Sequence, residues 1–477
     1  MKLEELLRGV DVVKLAADPK TEIGGMAFDS RKVCPGDLFM AVSGFATDGN
    51  RFIPAAMEKG AAVVVTAKAP EQEVAYVQVA SDRLAMAQIA ANLYDHPAKK
   101  LCMIGVTGTN GKTSVTLLLK HILETVRGAK VGLIGTMENR IGDEVIPTER
   151  TTPESPDLQA LFAKMVDAGC GYAIMEVSSH ALALERVGGV HYDVAAFTNL
   201  TEDHLDFHKT MEEYCRAKAM LFRRCDKAVA NRDDAWFAGI TDGAACPVLT
   251  TAVAEKGDLT ARDLELLSDG IRFTAVCGGK EVPVQLSIPG KFTVYNALTV
   301  LGIALQLGIS LEESAEALKT AKGVKGRVEV VPTPGKDYTV LIDYAHTPDG
   351  LENVLSSVKC FCKGRLIAVF GCGGDRDPVK RPIMGQIGAR IADIAVITSD
   401  NPRTEDPHAI IDDILRGVKD LSNCAVIENR IEAIRYAMDI AEKNDIIVLA
   451  GKGHETYQEI NGVKNHLDER EEVAKYL

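Results

Sequence analysis

The residues with the plainest chemistry in this chain are Gly108, Thr109, Asn110, Gly111, Lys112, Thr113 and Ser114. They follow an apolar run over 101–107 that reads as a buried strand. They precede apolar residues at helical spacing over 114–125, which stop near Gly128. Strand, glycine-rich loop and helix start make an anion site, because unpaired backbone N–H groups and the helix dipole both favour phosphate. Gly108 and Gly111 let the backbone approach the phosphates, Lys112 supplies a positive charge, and the Thr113 hydroxyl suits a magnesium ion. The common spacing would put glycine where Val106 stands, so the loop departs from the usual form. An ordinary strand-to-helix turn needs no Gly, Lys and Thr together.

Further polar loops follow predicted strands. Thr151 and Thr152 offer hydroxyls and N–H donors; Glu176, Ser178 and His180 bring a carboxylate, a hydroxyl and an imidazole together; His204 closes Thr198-Asn-Leu-Thr-Glu-Asp-His204. Beside a phosphate loop, Glu176 and His204 are sensible ligands for a hard metal at a nucleoside triphosphate. Near the C-terminus lie three more such loops: Gly371 to Asp377 with Arg376, then Asp400, Asn401, Pro402 and Arg403, then Gly451 to Glu455. Ligands gather beyond the carboxyl ends of parallel strands, so these three loops suit one small molecule.

The elements that must position these groups alternate strand and helix. Strands are expected over 101–107, 131–136, 172–177, 193–198 and 227–231, with helices over 156–168 and 211–222. Residues 259–289 lose the rhythm and read as extra β-structure, and helices over 294–307 and 311–319 follow. The alternation restarts with strands over 339–345, 365–370, 394–398, 425–427 and 445–450, and helices over 407–418 and 429–442. Residues 95–98 read as a linker after a helix over 82–93. The expected fold is α/β in three domains: 1–98, then a central parallel sheet of ATPase type over 99–326, then a Rossmann-like domain over 327–477.

Bulk properties narrow the function. A net charge of -13 across 477 residues argues against general nucleic-acid binding. No stretch reaches the length or apolarity of a signal peptide or a membrane span. Eleven dispersed cysteines, with no C-x-x-C pair, fit reduced thiols rather than a disulfide framework or zinc site. A cytoplasmic enzyme, taken as a monomer, is expected.

T-G-T-N-G-K-T-S, E-V-S-S-H, T-N-L-T-E-D-H-L-D-F-H, Y-x-x-x-K and D-Y-A-H-T-P together resemble the Mur ligase family across the whole chain, with F-D-S-R-K-V-x-P-G-D-L-F near the start. The order is similar to that of the branch adding the third amino acid of the peptidoglycan peptide. The resemblance implies ATP and Mg2+ as cofactors, and UDP-N-acetylmuramoyl-L-alanyl-D-glutamate as acceptor. It implies contacts to that substrate from Ser30, Thr151, Thr152, Ser178 and Arg186. Asn296, Arg327 and Asp343 match further nucleotide contacts, and Thr113, Glu176 and His204 match metal ligands. Lys218, in Tyr214-Cys-Arg-Ala-Lys218, matches a position carried in the family as a carbamate (N6-carboxylysine). The carbamate turns a cation into an anion able to join the metal ligands.

D-N-P-R is the form that the resemblance associates with meso-diaminopimelate. That amino acid is lysine with a second carboxylate, which guanidinium groups at Arg403 and Arg376 can grip, with Glu455 opposite an ammonium group. Lysine would leave the arginines unpaired, at a penalty of about a few kcal/mol. A lysine-adding enzyme, a folylpolyglutamate synthase and a nucleotide-binding regulator without catalysis are the alternatives. F-D-S-R-K and D-N-P-R weigh against the first two, and intact Lys112, Thr113, Glu176, His204 and Lys218 against the third.

Overall fold

In the computed structural model every residue is described except Phe45, Ala46, Glu149 and Ser268. The chain divides into two compact units, Met1–Thr251 with Gly302–Ile309, and Ala252–Leu301 with Ser310–Leu477.

The first unit holds two sheets. The N-terminal one runs Val12–Ala16, Tyr76–Val79, Val63–Thr66, Leu38–Ala41, Met26–Ala27, and only Val12–Ala16 pairs antiparallel. The larger sheet places Val248–Ala252, Cys225–Asn231, Tyr192–Phe197, Cys102–Thr107, Tyr172–Glu176 and Val131–Ile134 side by side and parallel. A parallel sheet is covered on both faces, which is why Ile104, Ile134, Ile174 and Ala196 are all fully buried. Every strand of the expected central set is present, with ends shifted by one or two residues. An antiparallel hairpin, Asn139–Ile141 with Glu144–Ile146, extends one edge. The supposed linker at 95–98 instead leads into a 3-10 turn, Pro97–Lys100, with Pro97 and Ala98 buried. Ala98 joins the core cluster that holds Leu101, so the segment packs rather than links.

The second unit starts with the antiparallel strands Leu259–Leu267, Gly270–Cys277 and Lys280–Leu286, the extra β-structure expected there. Its main sheet runs Glu329–Val331, Thr339–Asp343, Ile446–Ala450, Leu366–Phe370, Ile394–Ile397, Cys424–Val426, parallel except for the first pair. Side chains alternate across it: Leu341, Ala368, Phe370 and Val448 enter one core, and Ile342, Ile367, Val369 and Leu449 the other. The four loops beyond Asp343, Phe370, Ile397 and Ala450 therefore open on one edge of this sheet. Among the described residues no helix is long and apolar enough to cross a membrane.

Asp445 ties the opposite edge. Its side chain is 2% exposed and accepts bonds from the Arg365 backbone N–H (2.6 Å), Arg365 Nε (3.0 Å) and Nη2 (2.7 Å), and the Glu442 N–H (2.9 Å). Burial works against the charge, but Arg365 and the backbone donors outweigh it and hold the carboxyl below its usual pKa. A lowered folded pKa gives stability that is present above the unfolded value and lost as pH falls through the folded one. Asp445→Asn should therefore cost about 2–4 kcal/mol at neutral pH. Urea unfolding of the full chain should show that gap shrinking below about pH 4.

Candidate active site

Strand Cys102–Thr107 is bordered on both sides by strands and leads straight into the phosphate loop. Helix Lys112–Arg127 follows, so Lys112 is the first helical residue. Gly108 has φ of 149°, and a Cβ there would sit 1.9 Å from Thr198 Oγ1. No side chain fits that approach. The loop is held from Thr198-Asn-Leu-Thr201: Thr198 Oγ1 donates to Asn110 O (2.6 Å), Asn110 N to Asn199 Oδ1 (2.9 Å), and Thr109 N to Asn199 O (2.8 Å). Lys112 Nζ donates to the carbonyls of Gly108 and Thr109, both at 2.8 Å, which places its ammonium at the loop. Ser114 follows in the first turn, half-buried.

Glu176, 1% exposed, ends the neighbouring strand. Its carboxylate accepts Thr113 Oγ1 (2.9 Å), Thr136 N (3.1 Å) and Thr136 Oγ1 (2.9 Å). Thr136 and Thr151 hydroxyls are 3.0 Å apart, while Thr152 Oγ1 donates to Glu176 O (2.8 Å) and accepts Ser178 N (3.2 Å). Arg186 Nη1 donates to Thr152 O (3.1 Å). Four of the five residues assigned to the UDP-substrate thus form one network around Glu176. Ser30 lies elsewhere, at the start of a 3-10 turn capped by Asp29.

Lys218 is 1% exposed on helix Met211–Ala219 and donates to Gly108 O at 2.9 Å. Burial, and then the nearby Lys112 charge, push its amine well below the usual lysine pKa, against a smaller pull from Asp203. The Tyr214 ring lies 4.6 Å from Lys218 Nζ, and its hydroxyl is 3.2 Å from Thr109 Oγ1. His204 has φ of 55° and a half-exposed ring. Burial lowers its pKa, Asp203 opposes that, and the charges of Lys218 and Lys112 add to it. Among the described residues no three His, Cys, Asp or Glu side chains are grouped to hold a metal ion.

In the second unit, Asp343 Oδ2 accepts Val328 N at 2.8 Å, and the Arg327 guanidinium lies 5.2 Å from the Tyr344 ring. Burial raises the Asp343 pKa, with Arg327 opposing. Asn296 is buried on helix Lys291–Gln306. The three C-terminal loops converge. Arg403, at φ of 52°, donates from Nη1 to Gly374 O (2.7 Å), with its Nε 3.5 Å from Glu459. Asn401 Nδ2 donates to Glu455 Oε2 at 2.8 Å, and Pro402 is buried beside it. Gly451, at φ of 118°, leaves room for Asp400, whose Oδ2 would be 2.4 Å from a Cβ there. Arg376 is exposed, and its Nη1 donates to Asp375 O (3.0 Å).

Comparison with known families matches the Mur ligase family catalytic domain over residues 22–99, the Mur ligase middle domain over 106–304 and the Mur ligase glutamate ligase domain over 326–453. A relative from Clostridium acetobutylicum, UDP-N-acetylmuramoyl-L-alanyl-D-glutamate–2,6-diaminopimelate ligase 1, is 48% identical over 480 residues, covering 100% of this chain and 99% of its own. The chain belongs to the Mur ligase family. A relative from Caldanaerobacter subterraneus, also named UDP-N-acetylmuramoyl-L-alanyl-D-glutamate–2,6-diaminopimelate ligase, is 48% identical over 482 residues, with 100% and 99% covered. A solved structure of the same name aligns with a TM-score of 0.76 at 32% identity, covering 100% of this chain and 98% of that one. This Mur ligase is therefore an enzyme with the mixed α/β fold expected from its sequence.

Several residues that hold the candidate site together are given no individual role by the sequence reading. Asn199 holds the phosphate loop through both backbone and side chain, and Thr136 bridges Glu176 to Thr151. Lys452, inside Gly451-Lys-Gly-His-Glu455, is given no role by the sequence reading and is completely buried. Its signal was available: a lysine between two glycines directly after the all-buried strand Ile446–Ala450.

Proposed function

We propose that this Mur ligase uses ATP to join meso-2,6-diaminopimelate to UDP-N-acetylmuramoyl-L-alanyl-D-glutamate in peptidoglycan synthesis, as a cytoplasmic monomer with domain boundaries near residues 98 and 326. The observation that carries this reading is the meeting of the loops at Gly374, Asn401–Arg403 and Glu455. Guanidinium groups at Arg403 and Arg376 suit a distal carboxylate, and Glu455 suits an ammonium. Full-length relatives bearing the corresponding enzyme name support it.

The D-glutamyl γ-carboxylate attacks the γ-phosphorus of ATP, and ADP leaves. The amine of diaminopimelate then attacks the acyl phosphate, and inorganic phosphate departs from the tetrahedral intermediate. Lys112 and the loop N–H groups stabilise charge on the transferring phosphoryl group. Ser30, Thr151, Thr152, Ser178 and Arg186 orient the UDP-substrate, and Asn296, Arg327 and Asp343 the nucleotide. Thr113 Oγ1 and the Glu176 carboxylate, 2.9 Å apart, present the hard oxygen donors that Mg2+ takes. Few protein ligands suffice, because that ion keeps waters and phosphate oxygens. When bound it supplies positive charge to the phosphates; Thr113 and Glu176 would hold it there, with His204 as a ligand of a second ion and a carbamate on Lys218 as a further magnesium ligand.

The Lys218 amine, depressed by burial, is available in the neutral form that adds carbon dioxide: an N–C bond forms and a proton leaves. Carbon-13 NMR of enzyme in labelled bicarbonate should show a protein-bound carbamate that disappears in Lys218→Ala. Full activity with an unmodified ammonium there would refute it.

Glu176 is placed by its tight fit against Gly135, where a Cβ would lie 2.6 Å from Oε1. Gly135→Ala should displace the carboxylate and lower kcat by about 100-fold. Circular dichroism should show the fold retained.

Phosphate release with each amino acid tests the specificity. Diaminopimelate should sustain turnover and lysine should not. Arg403→Ala should cost about 2–5 kcal/mol in kcat/KM for diaminopimelate, with the KM values for ATP and UDP-substrate unmoved. Equal use of lysine by the wild type would rule out the carboxylate clamp. A loss shared by every substrate would leave Arg403 a structural role only, through Gly374 and Glu459.

A further inference from the structure

Behind the loops just assigned to the amino acid lies a cation that touches nothing outside the protein. Lys452 is 0% exposed. Its Nζ donates to Asn401 Oδ1 (3.0 Å) and Glu455 Oε2 (3.2 Å), and lies 3.8 Å from Asp400 Oδ1. The Tyr457 ring closes the remaining side at 5.6 Å. A fully buried ammonium is costly unless paired and hydrogen-bonded. Here every charged or hydrogen-bonding partner belongs to the D-N-P-R or G-K-G-H-E loop.

Two consequences follow from these contacts. The first is orientation. Asn401 Oδ1 accepts from Lys452 and also from Glu459 N at 2.9 Å, so its amide cannot flip. Nδ2 is thereby turned onto Glu455 Oε2 (2.8 Å). Oε2 takes both Lys452 and Asn401, which leaves Oε1 for a ligand. The second is charge. Asp400 and Glu455 contribute two negative charges and Lys452 one positive, a surplus of one negative. The neighbouring Arg430, also 0% exposed, pairs with Glu469 at 2.7 Å, a pair of no net charge, although its guanidinium also feels Asp400 and Glu455.

We propose that Lys452 is the positioning residue for amino-acid recognition, fixing Asn401 and Glu455 and leaving one surplus negative charge for one substrate ammonium group. This rests on the assignment of these loops to the amino acid. Lys452 contacts no substrate; it acts through the two side chains it holds.

Steady-state kinetics of the full chain with ATP, UDP-substrate and diaminopimelate provide the test. Lys452→Met should raise the KM for diaminopimelate by about tenfold or more, with the other two KM values within about twofold of wild type. Lys452→Met/Glu455→Gln restores a single surplus charge, so its KM rise should fall short of the product of the two single rises. Asn401→Asp adds the same excess charge with the lysine in place, and should copy the KM signature even if the Lys452 variants do not fold. An unchanged KM for diaminopimelate in Lys452→Met or Asn401→Asp, a rise shared by all three substrates, or losses in the double variant that simply multiply would overturn the proposal. The amino-acid assignment fails separately, if Glu455→Gln alone leaves the diaminopimelate KM untouched.

Discussion

The first unit depends on how one buried carboxylate is satisfied. Glu176 ends a strand with almost no exposure, so each oxygen must find a donor or the charge becomes costly. The donors come from two directions: Thr113 from the phosphate loop, and Thr136 from the end of the next strand. Register enforces this. Glu176 pairs with Val106 across the sheet, directly before the loop, so the carboxylate and the loop leave the sheet at the same level. The Thr136–Thr151 contact and the Thr152 bond to Glu176 O carry the link onward. The glycine-rich loop and the threonines proposed for the second substrate therefore share one anchor, and displacement of either is felt by both.

Much of the fold was legible because its strands are buried on both faces. Runs such as Ile446–Ala450 and Leu366–Phe370 are uniformly apolar, too short for helices, and followed by glycine. Strand ends drifted by a residue or two, since the last pair in a ladder is settled by neighbours and not by hydropathy. The C-terminal antiparallel hairpin was missed for a different reason. Tyr457–Ile460 and Val463–His466 are partly or wholly exposed, so no apolar pattern marks them. What does mark them is Asn461-Gly462, with φ of 49° and 77°, the pair that a two-residue hairpin turn requires. Gly278-Gly279 plays the same part between Gly270–Cys277 and Lys280–Leu286.

Groups such as Lys112 and Glu176 stood out in the sequence by residue type and by their place at strand ends, while residues that act on other residues did not. Spacing gives no hint that Asn199 braces Asn110 or that the Tyr214 hydroxyl meets Thr109, although the i, i+4 spacing of Tyr214 and Lys218 on one helix does place that ring beside the lysine. Such roles depend on which loops the sheet order brings together. Strands Cys102–Thr107 and Tyr192–Phe197 are far apart in sequence yet adjacent in the sheet, and this adjacency lets one loop hold the other.

The missed hairpin bears on the second unit's chemistry. Arg403 N donates to Glu459 O (3.0 Å) and Asn461 N to Arg403 O (2.7 Å), while Gln458 Nε2 donates to Asp400 O (2.7 Å) and Glu459 N to Asn401 Oδ1 (2.9 Å). The hairpin thus grips the D-N-P-R loop from Asp400 to Arg403 by backbone and side chain. Arg403 is held at positive φ, a conformation that costs about 1–2 kcal/mol for a residue with a side chain. Two backbone bonds, one from its N–H and one to its C=O, offset that cost. The guanidinium reaches Gly374 O, into the span between two loops, rather than along its own. An arginine on a relaxed loop would sample many rotamers and lose entropy on meeting a carboxylate. Here the ordering is completed during folding, by a hairpin that itself carries none of the residues assigned to the ligand.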